Sequence, residues 1–269
     1  MVSSRPASER PDRWRHVAIT GASSGIGAAL ARALARPGLS LSLGGRDRAR
    51  LAQVTAECQA AGADTCGTAV DVCQQETLRG WLDSRAYAGP IDLVVACAGV
   101  TDEHGHPPQE TAAINFVGII NTLEAALPHM ARGGQLALIG SLASWRAQPS
   151  APAYAASKAA VRLYAEAIRD SLAKDGLSLS LVLPGFVATP MLSGRRGPTP
   201  HLLSAERAAN IMIAGLARRR ATIVFPKTMY AKTRLIAVLI PALAAAGSRL
   251  SFIRRQSADG PATPRSRPE

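Results

Sequence analysis

What is scarce in this sequence narrows its reading first. Aromatic residues make up 4% of 269 positions, and lysine occurs only four times among 31 basic residues. A groove for single-stranded nucleic acid interleaves basic and aromatic side chains, and no such stripe is present, so no nucleic-acid partner is expected. There are four cysteines, Cys58, Cys66, Cys73 and Cys97, with no CxxC pair and no histidine at ligand spacing. Neither a disulfide framework nor a structural zinc site is expected from that pattern. His104 and His106 flank one glycine in a Pro-rich stretch, and two imidazoles without a third donor read as a solvated turn, so no metal is assigned. No run reaches the roughly 18 apolar residues of a spanning helix, and the leading MVSSRPASERPDRWRH has no apolar core of the kind a secretion signal needs. The expected location is the cytoplasm, with association to the inner face of a membrane left open by the C-terminal segment described below.

A formal charge of +12 remains to be placed. Residues 1–16 carry +2, residues 226–269 carry +6, and the long middle, 17–225, only +4. The excess belongs to the ends, which removes it as a clue about the body of the protein.

Between residues 16 and 225, short apolar runs alternate with helical patterns. The strands are expected at 16–20, 39–43, 65–70, 91–96, 135–140, 177–182 and 221–225, and helices at about 25–36, 47–61, 74–87, 109–131, 152–174 and 204–219. Parallel strands need crossover connections and both sheet faces need cover, so the fold class is α/β: a doubly wound, mostly parallel seven-stranded sheet with helices on both faces. Residues 1–15 and 256–269 lack periodicity and read as flexible tails, with 226–255 a separate apolar and basic segment.

Directly after the first strand comes Thr20-Gly21-Ala22-Ser23-Ser24-Gly25-Ile26-Gly27, followed by a helical run. Glycines allow a tight turn and close approach of backbone to ligand, while the following helix offers free N–H groups to a pyrophosphate. The spacing TGxxxGxG, in this strand-to-helix context, resembles the short-chain dehydrogenase/reductase family in its single-domain branch. Further landmarks follow in family order: Asp71-Val72 where the adenine is contacted, Cys97-Ala98-Gly99 where Asn-Ala-Gly is usual, and Asn115 at the active-site asparagine. Ser141, Tyr154 and Lys158 match the Ser and YxxxK, and Pro184-Gly185-Phe186-Val187-Ala188-Thr189 matches the PGxxxT segment beside the nicotinamide.

The resemblance implies a Rossmann domain that binds a nicotinamide dinucleotide through Gly21, Ser23, Ser24, Gly25, Ile26, Gly27, Arg46, Asp71, Val72, Cys97, Ala98, Gly99, Tyr154, Lys158, Pro184, Gly185, Val187 and Thr189. The acidic residue that would bond the ribose 2′-OH of NAD is absent from Leu43-Gly44-Gly45-Arg46-Asp47. Arg46 is placed to meet a 2′-phosphate instead, so the cofactor is read as NADP rather than NAD, with Asp47 as a helix N-cap.

Tyr154 and Lys158 stand four apart, on one face of a helix. An ammonium beside the phenol favours the phenolate and lowers the tyrosine pKa, which suits Tyr154 to general acid–base chemistry on a carbonyl or alcohol. Ser141 would steady the developing alkoxide, and Asn115, as the resemblance implies, would position a water linking Lys158 to solvent. The reading is an oxidoreductase moving a hydride between nicotinamide and a carbonyl or secondary alcohol; the alternative is a catalytically idle NADP-binding interaction protein.

Two departures from the family stand out: Cys97 replaces an asparagine that braces neighbouring strands, and the interval from Gly99 to Asn115 is short. Residues 190–203 carry the Gly and Pro content of a mobile substrate lid, including Arg195 and Arg196. Residues 235–247 are apolar almost all round and flanked by basic residues. Across 227–255 three readings stand: a lid on the pocket, a subunit interface in a homo-oligomer, or an interfacial membrane helix. Each favours an apolar substrate.

Overall fold

The computed structural model describes residues 13–193, 197–231 and 233–236. In chain order it contains β1 (His16–Thr20), α1 (Gly25–Leu34), β2 (Ser40–Gly45), α2 (Arg48–Ala60), β3 (Asp64–Ala69), α3 (Gln75–Asp83) and β4 (Ile91–Ala96). Then follow α4 (Pro108–Ala112), a π-helical turn (Ala113–Val117), α5 (Gly118–Ala126), β5 (Met130–Ile139), α6 (Pro152–Lys174) and β6 (Ser178–Pro184). A short β7 (Val187–Ala188) and β8 (Leu203–Ser204) precede α7 (Ala205–Ala217) and β9 (Thr222–Phe225).

Seven strands form one sheet in the order β3-β2-β1-β4-β5-β6-β9, and every pairing is parallel. Chain order runs outward in both directions from the β1/β4 pair. The connections at that point diverge and open a crevice beyond the carboxyl ends of the strands.

Alternation along the central strands explains how one sheet carries two cores. Val17, Ile19, Leu41, Leu43, Leu93 and Val95 point to one face, under Leu30, Leu34, Leu51, Met212 and Leu216 of α1, α2 and α7. Ala18, Val94, Ala96, Leu136 and Leu138 point to the other, under Trp81, Leu123 and Val161 of α3, α5 and α6. With both faces covered, the middle strands lose the polar alternation of a half-exposed strand, which is why they read as short apolar runs.

Several expectations need correction. Trp14 is built into the first core and Arg15 donates its backbone N–H to Asp92 Oδ2 at 2.7 Å, so the leading tail does not extend to residue 15. The helix expected over 109–131 is broken into α4, the π turn and α5, and β5 already begins at Met130. The π turn inserts one residue into the helical path, and Ile114 and Asn115 within it are both buried. The small parallel pair β7/β8 was not foreseen; two residues per strand leave no period to detect. Residues 1–12, 194–196, 232 and 237–269 lie outside the described residues, and with them Arg195, Arg196, the closing tail and most of the apolar run 235–247.

Candidate active site

The turn after β1 is set by contacts that admit no side chain. Gly21 has φ +69°, and a Cβ there would stand 2.7 Å from the backbone of Ala98 in the turn after β4. A Cβ on Gly27 would stand 2.3 Å from the carbonyl oxygen of Gly21. α1 then starts at Gly25, behind a Ser24 whose side chain makes no capping bond, and its first turn holds no acidic residue. The positive end of the helix is therefore aimed at the crevice with no carboxylate of its own to neutralise it.

That crevice is a cavity of about 460 Å³. Of the residues assigned from the sequence to catalysis or cofactor binding, all line it except Asp71 and Asn115. Asp71 turns its carboxylate back to the chain, accepting the N–H of Cys73 at 2.9 Å, while Val72 forms the wall. Arg46 is half exposed on the rim and lies 3.6 Å from Glu110, whose other oxygen is 3.2 Å from His106 Nδ1. Asp47 caps α2, taking the N–H of Arg50 at 3.0 Å and its Nε at 2.7 Å, so its carboxylate is committed away from the end of β2. Those bonds hold its pKa below the usual carboxylate value.

On the same cavity, α6 presents Tyr154 and Lys158 one turn apart. Lys158 is 3% exposed, and its Nζ donates to the carbonyl oxygen of Ile139 at 2.9 Å and lies 5.9 Å from the centre of the Tyr154 ring. Burial lowers its pKa to about 8, with Cys97 opposing. The Cys97 thiol is pushed up to about 11 by burial, against the pull of Lys158 and the Gly27 N–H, so it is a neutral filler at physiological pH. The strand bracing expected to weaken with this cysteine is supplied by Thr20. Its hydroxyl accepts from Cys97 N at 3.2 Å and donates to Val95 O at 3.5 Å, tying β1 to β4.

Ser141 follows β5 in extended conformation and its Oγ accepts the N–H of Ala143 at 3.1 Å, an arrangement that leaves its own hydrogen to donate into the cavity. Asn115 is tied to the chain around it. Its Oδ1 accepts from Val100 N at 2.8 Å, and its Nδ2 donates to Val100 O at 2.9 Å and Ser157 Oγ at 3.0 Å. Both amide hydrogens are used within the protein, so the side chain holds Val100 and Ser157 in position.

Residues 15–198 match the family described as short chain dehydrogenase. The chain belongs to that family. An uncharacterized oxidoreductase of Myxococcus xanthus is 35% identical over 247 residues, covering 88% of this chain and 98% of that protein. A short chain dehydrogenase/reductase of Burkholderia phymatum, solved in complex with NAD, superposes with a TM-score of 0.72 at 25% identity, over 94% of this chain and 98% of the other. An alcohol dehydrogenase of the archaeon Thermococcus sibiricus, complexed with 5-hydroxy-NADP, gives 0.69 at 27% identity, over 78% and 95%. The protein is accordingly an oxidoreductase.

Motif spacing did not bring Leu142 or Met229 to the cavity of this short chain dehydrogenase, whereas Phe186 belongs to the PGxxxT segment and Met191 and Leu192 to the segment expected as a lid. Leu142, Phe186, Met191, Leu192 and Met229 line the cavity beyond Tyr154. Residues 227–231 and 233–236 are helical, and this helix is fastened beside the site by Trp145. The Trp145 indole meets the Tyr230 ring edge-on at 6.1 Å and lies under the guanidinium of Arg162 at 4.1 Å and that of Arg234 at 4.9 Å. No local signal links positions so far apart in sequence. Among the described residues, no helix is long and apolar enough to cross a membrane.

Proposed function

We propose that this dehydrogenase interconverts a carbonyl and a secondary alcohol on an apolar substrate, with NADP as the preferred cofactor. The observation that carries the reading is the buried Lys158 beside Tyr154, opening with Ser141 onto one cavity that the glycine turn and the start of α1 also line. The residues fit a dinucleotide: the space that a Cβ would fill at Gly21 and Gly27 is already taken by backbone, and the N-terminus of α1 is free of acidic side chains. Once bound, the nicotinamide supplies or receives the hydride.

The chain supplies the proton and the geometry. In reduction, the Tyr154 phenol gives its proton to the carbonyl oxygen while Ser141 donates a hydrogen bond to the same atom as charge builds there. The Lys158 ammonium, held by Ile139 O, stabilises the phenolate that remains. Asn115 keeps the Gly99–Val100 wall and Ser157 in register with that pair. In oxidation the same groups run in reverse, with the phenolate as base.

Arg46 supports NADP. The carboxylate that follows it is occupied with Arg50, and an exposed pair such as Arg46–Glu110 is worth only about 0–1 kcal/mol, little resistance to a 2′-phosphate. One solved relative holds NAD and another an NADP derivative, so relatives support a nicotinamide dinucleotide and the choice rests on Arg46. The apolar wall of Leu142, Phe186, Met191, Leu192 and Met229 supports an apolar substrate, and Met229 on that wall favours the lid reading for the described part of the C-terminal segment.

A panel of apolar ketones and aldehydes, read by NADPH consumption, tests the reaction. Turnover that Tyr154→Phe abolishes while NADPH still binds is the expected result. A wild-type protein idle on the whole panel would instead favour the interaction protein. Titration of NADPH against NADH tests Arg46, and equal affinities would remove the NADP preference.

A further inference from the structure

The segment leaving β4 is tied to the start of α6 by a side chain outside every motif. Asp102 opens a single 3-10 turn (Asp102–His104). Its Oδ2 accepts the N–H of Ala153 at 2.9 Å and its Oδ1 that of Tyr154 at 3.1 Å. α6 cannot satisfy these groups itself: Ala151 at the N-cap has no acceptor, the next residue is Pro152, and the first turn holds no acid. A carboxylate brought from another part of the chain supplies both acceptors and meets the positive end of the helix.

The other side of Tyr154 is held as well. Its carbonyl accepts from Ser157 Oγ at 2.9 Å, and Ser157 accepts from Asn115 Nδ2 at 3.0 Å. Asn115 grips both backbone groups of Val100, at 2.8 and 2.9 Å, two residues before Asp102. The hydrogen bonds close into a ring: Asp102, the backbone of Tyr154, Ser157, Asn115, Val100 and back along the chain to Asp102. Gly99 adjoins this ring, and a Cβ on it would stand 3.2 Å from Asn115 Oδ1 and 3.4 Å from Lys158 Nζ. The clamp on the Tyr154 backbone and the wall against Lys158 are thus parts of one structure.

We propose that Asp102 is a positioning residue for Tyr154, acting through the backbone to fix where the phenol stands relative to Ser141 and Lys158. An ordinary cap stabilises its helix wherever the helix points. This one ties down the N–H of the reacting residue itself and orders the wall beside the neighbouring lysine. The inference rests on the reading of Tyr154 as the proton donor.

The test compares Asp102→Ala, Asp102→Asn and Tyr154→Phe with wild type in three measurements: steady-state kinetics on a carbonyl substrate with saturating NADPH, NADPH binding by fluorescence, and amide hydrogen exchange across residues 153–158. With Asp102→Ala, kcat is expected to fall about 10–100-fold, KM to change far less, and NADPH affinity to stay within about 2–3-fold of wild type. Exchange at the amides of 153 and 154 rises. Asp102→Asn keeps one acceptor oxygen and recovers part of kcat. A kcat for Asp102→Ala within about twofold of wild type while Tyr154→Phe is inactive overturns the proposal, as does a kcat loss matched by an equal loss of NADPH affinity. If Tyr154→Phe stays active, the proton-donor reading has failed first and the proposal falls with it. If the Ala variant does not fold, Asp102→Asn decides: wild-type kcat and unchanged exchange overturn it.

Discussion

At the starts of the strands His16, Ser42 and Arg85 form one buried polar network, and at their ends Lys158, Asn115, Ser157 and Ser141 form another. The first is closed. His16 is 1% exposed; its Nδ1 donates to Gly89 O and its Nε2 accepts from Ser42 Oγ, both at 2.8 Å, the tautomer following from a carbonyl that can only accept. Ser42 Oγ accepts from Arg85 Nε at 3.1 Å, and the same guanidinium pairs with Asp64 at 3.4 Å and lies over the Tyr87 ring. The second network is open. Among the described residues Lys158 has one acceptor, Ile139 O, and Ser141 keeps a hydrogen to give to the cavity. Polar groups that only stabilise are satisfied inside the fold, whereas those placed for chemistry carry a burial cost that a ligand can relieve.

The contrast breaks most sharply at Lys158. Its ordinary pKa is 10.5 and its folded value about 8, so at neutral pH the charged form carries the full cost of burial. Lys158→Met is expected to lower turnover by about 10²–10⁴-fold while raising Tm by about 2–5 °C, read by NADPH consumption and calorimetry. Between pH 8 and 10.5 the unfolded chain holds the extra proton, so this group makes stability rise with pH there. The difference between wild type and Lys158→Met should shrink over that window. A lowered Tm in the variant would make the lysine a structural residue like Arg85.

Arg85→Met should do the opposite. Loss of a buried guanidinium with three kinds of partner is expected to cost about 3 kcal/mol, a Tm lower by about 6–12 °C, with kcat unchanged at 25 °C. His16 gives a smaller, pH-dependent effect. Burial lowers its pKa below 6.5, against the hydrogen bond to Gly89, so its contribution is present above about pH 6.5 and lost as pH falls through the folded value. Wild type should therefore lose more Tm than His16→Gln between pH 6.5 and 5; equal losses would show that the ring is not held neutral. The smallest effect is on the rim: Glu110→Gln frees Arg46 and should tighten NADPH by about 2–5-fold, leaving NADH unchanged in the same titration. No change for NADPH would mean that Arg46 does not meet the 2′-phosphate.

The two networks were not equally legible. Sequence pattern located all seven strands of the main sheet, because strands covered on both faces are mostly apolar and alternate with crossover helices. The residues around Gly21, Ser141, Tyr154 and Lys158 were legible because their chemistry fixes short spacings along one turn or one helix. His16 and Arg85 were not, since a histidine opening a strand and an arginine after a helix carry no signal until β1 and β2 lie side by side. Asp102 stands in the short interval between Gly99 and Asn115. Nothing in VTDEHGHPPQ says which helix its carboxylate reaches. The unbroken helix expected over 109–131 failed at a π turn that contains Asn115, whose partners Val100 and Ser157 lie 15 and 42 residues away, and the 3.6-residue period records no such contact.

The sequence by itself determined the doubly wound sheet, the glycine turn and the Tyr–Lys pair, since hydrophobic period, glycine sterics and i, i+4 spacing act over a few residues. Only the tertiary structure decided that Asp102 and Ser157 grip the backbone of Tyr154, that Thr20 braces Cys97, and that Trp145 and Tyr230 bring Met229 to the cavity wall. Hydrogen bonds and stacked rings join atoms a few ångströms apart, and sequence order records nothing of that distance once the chain has folded back on itself.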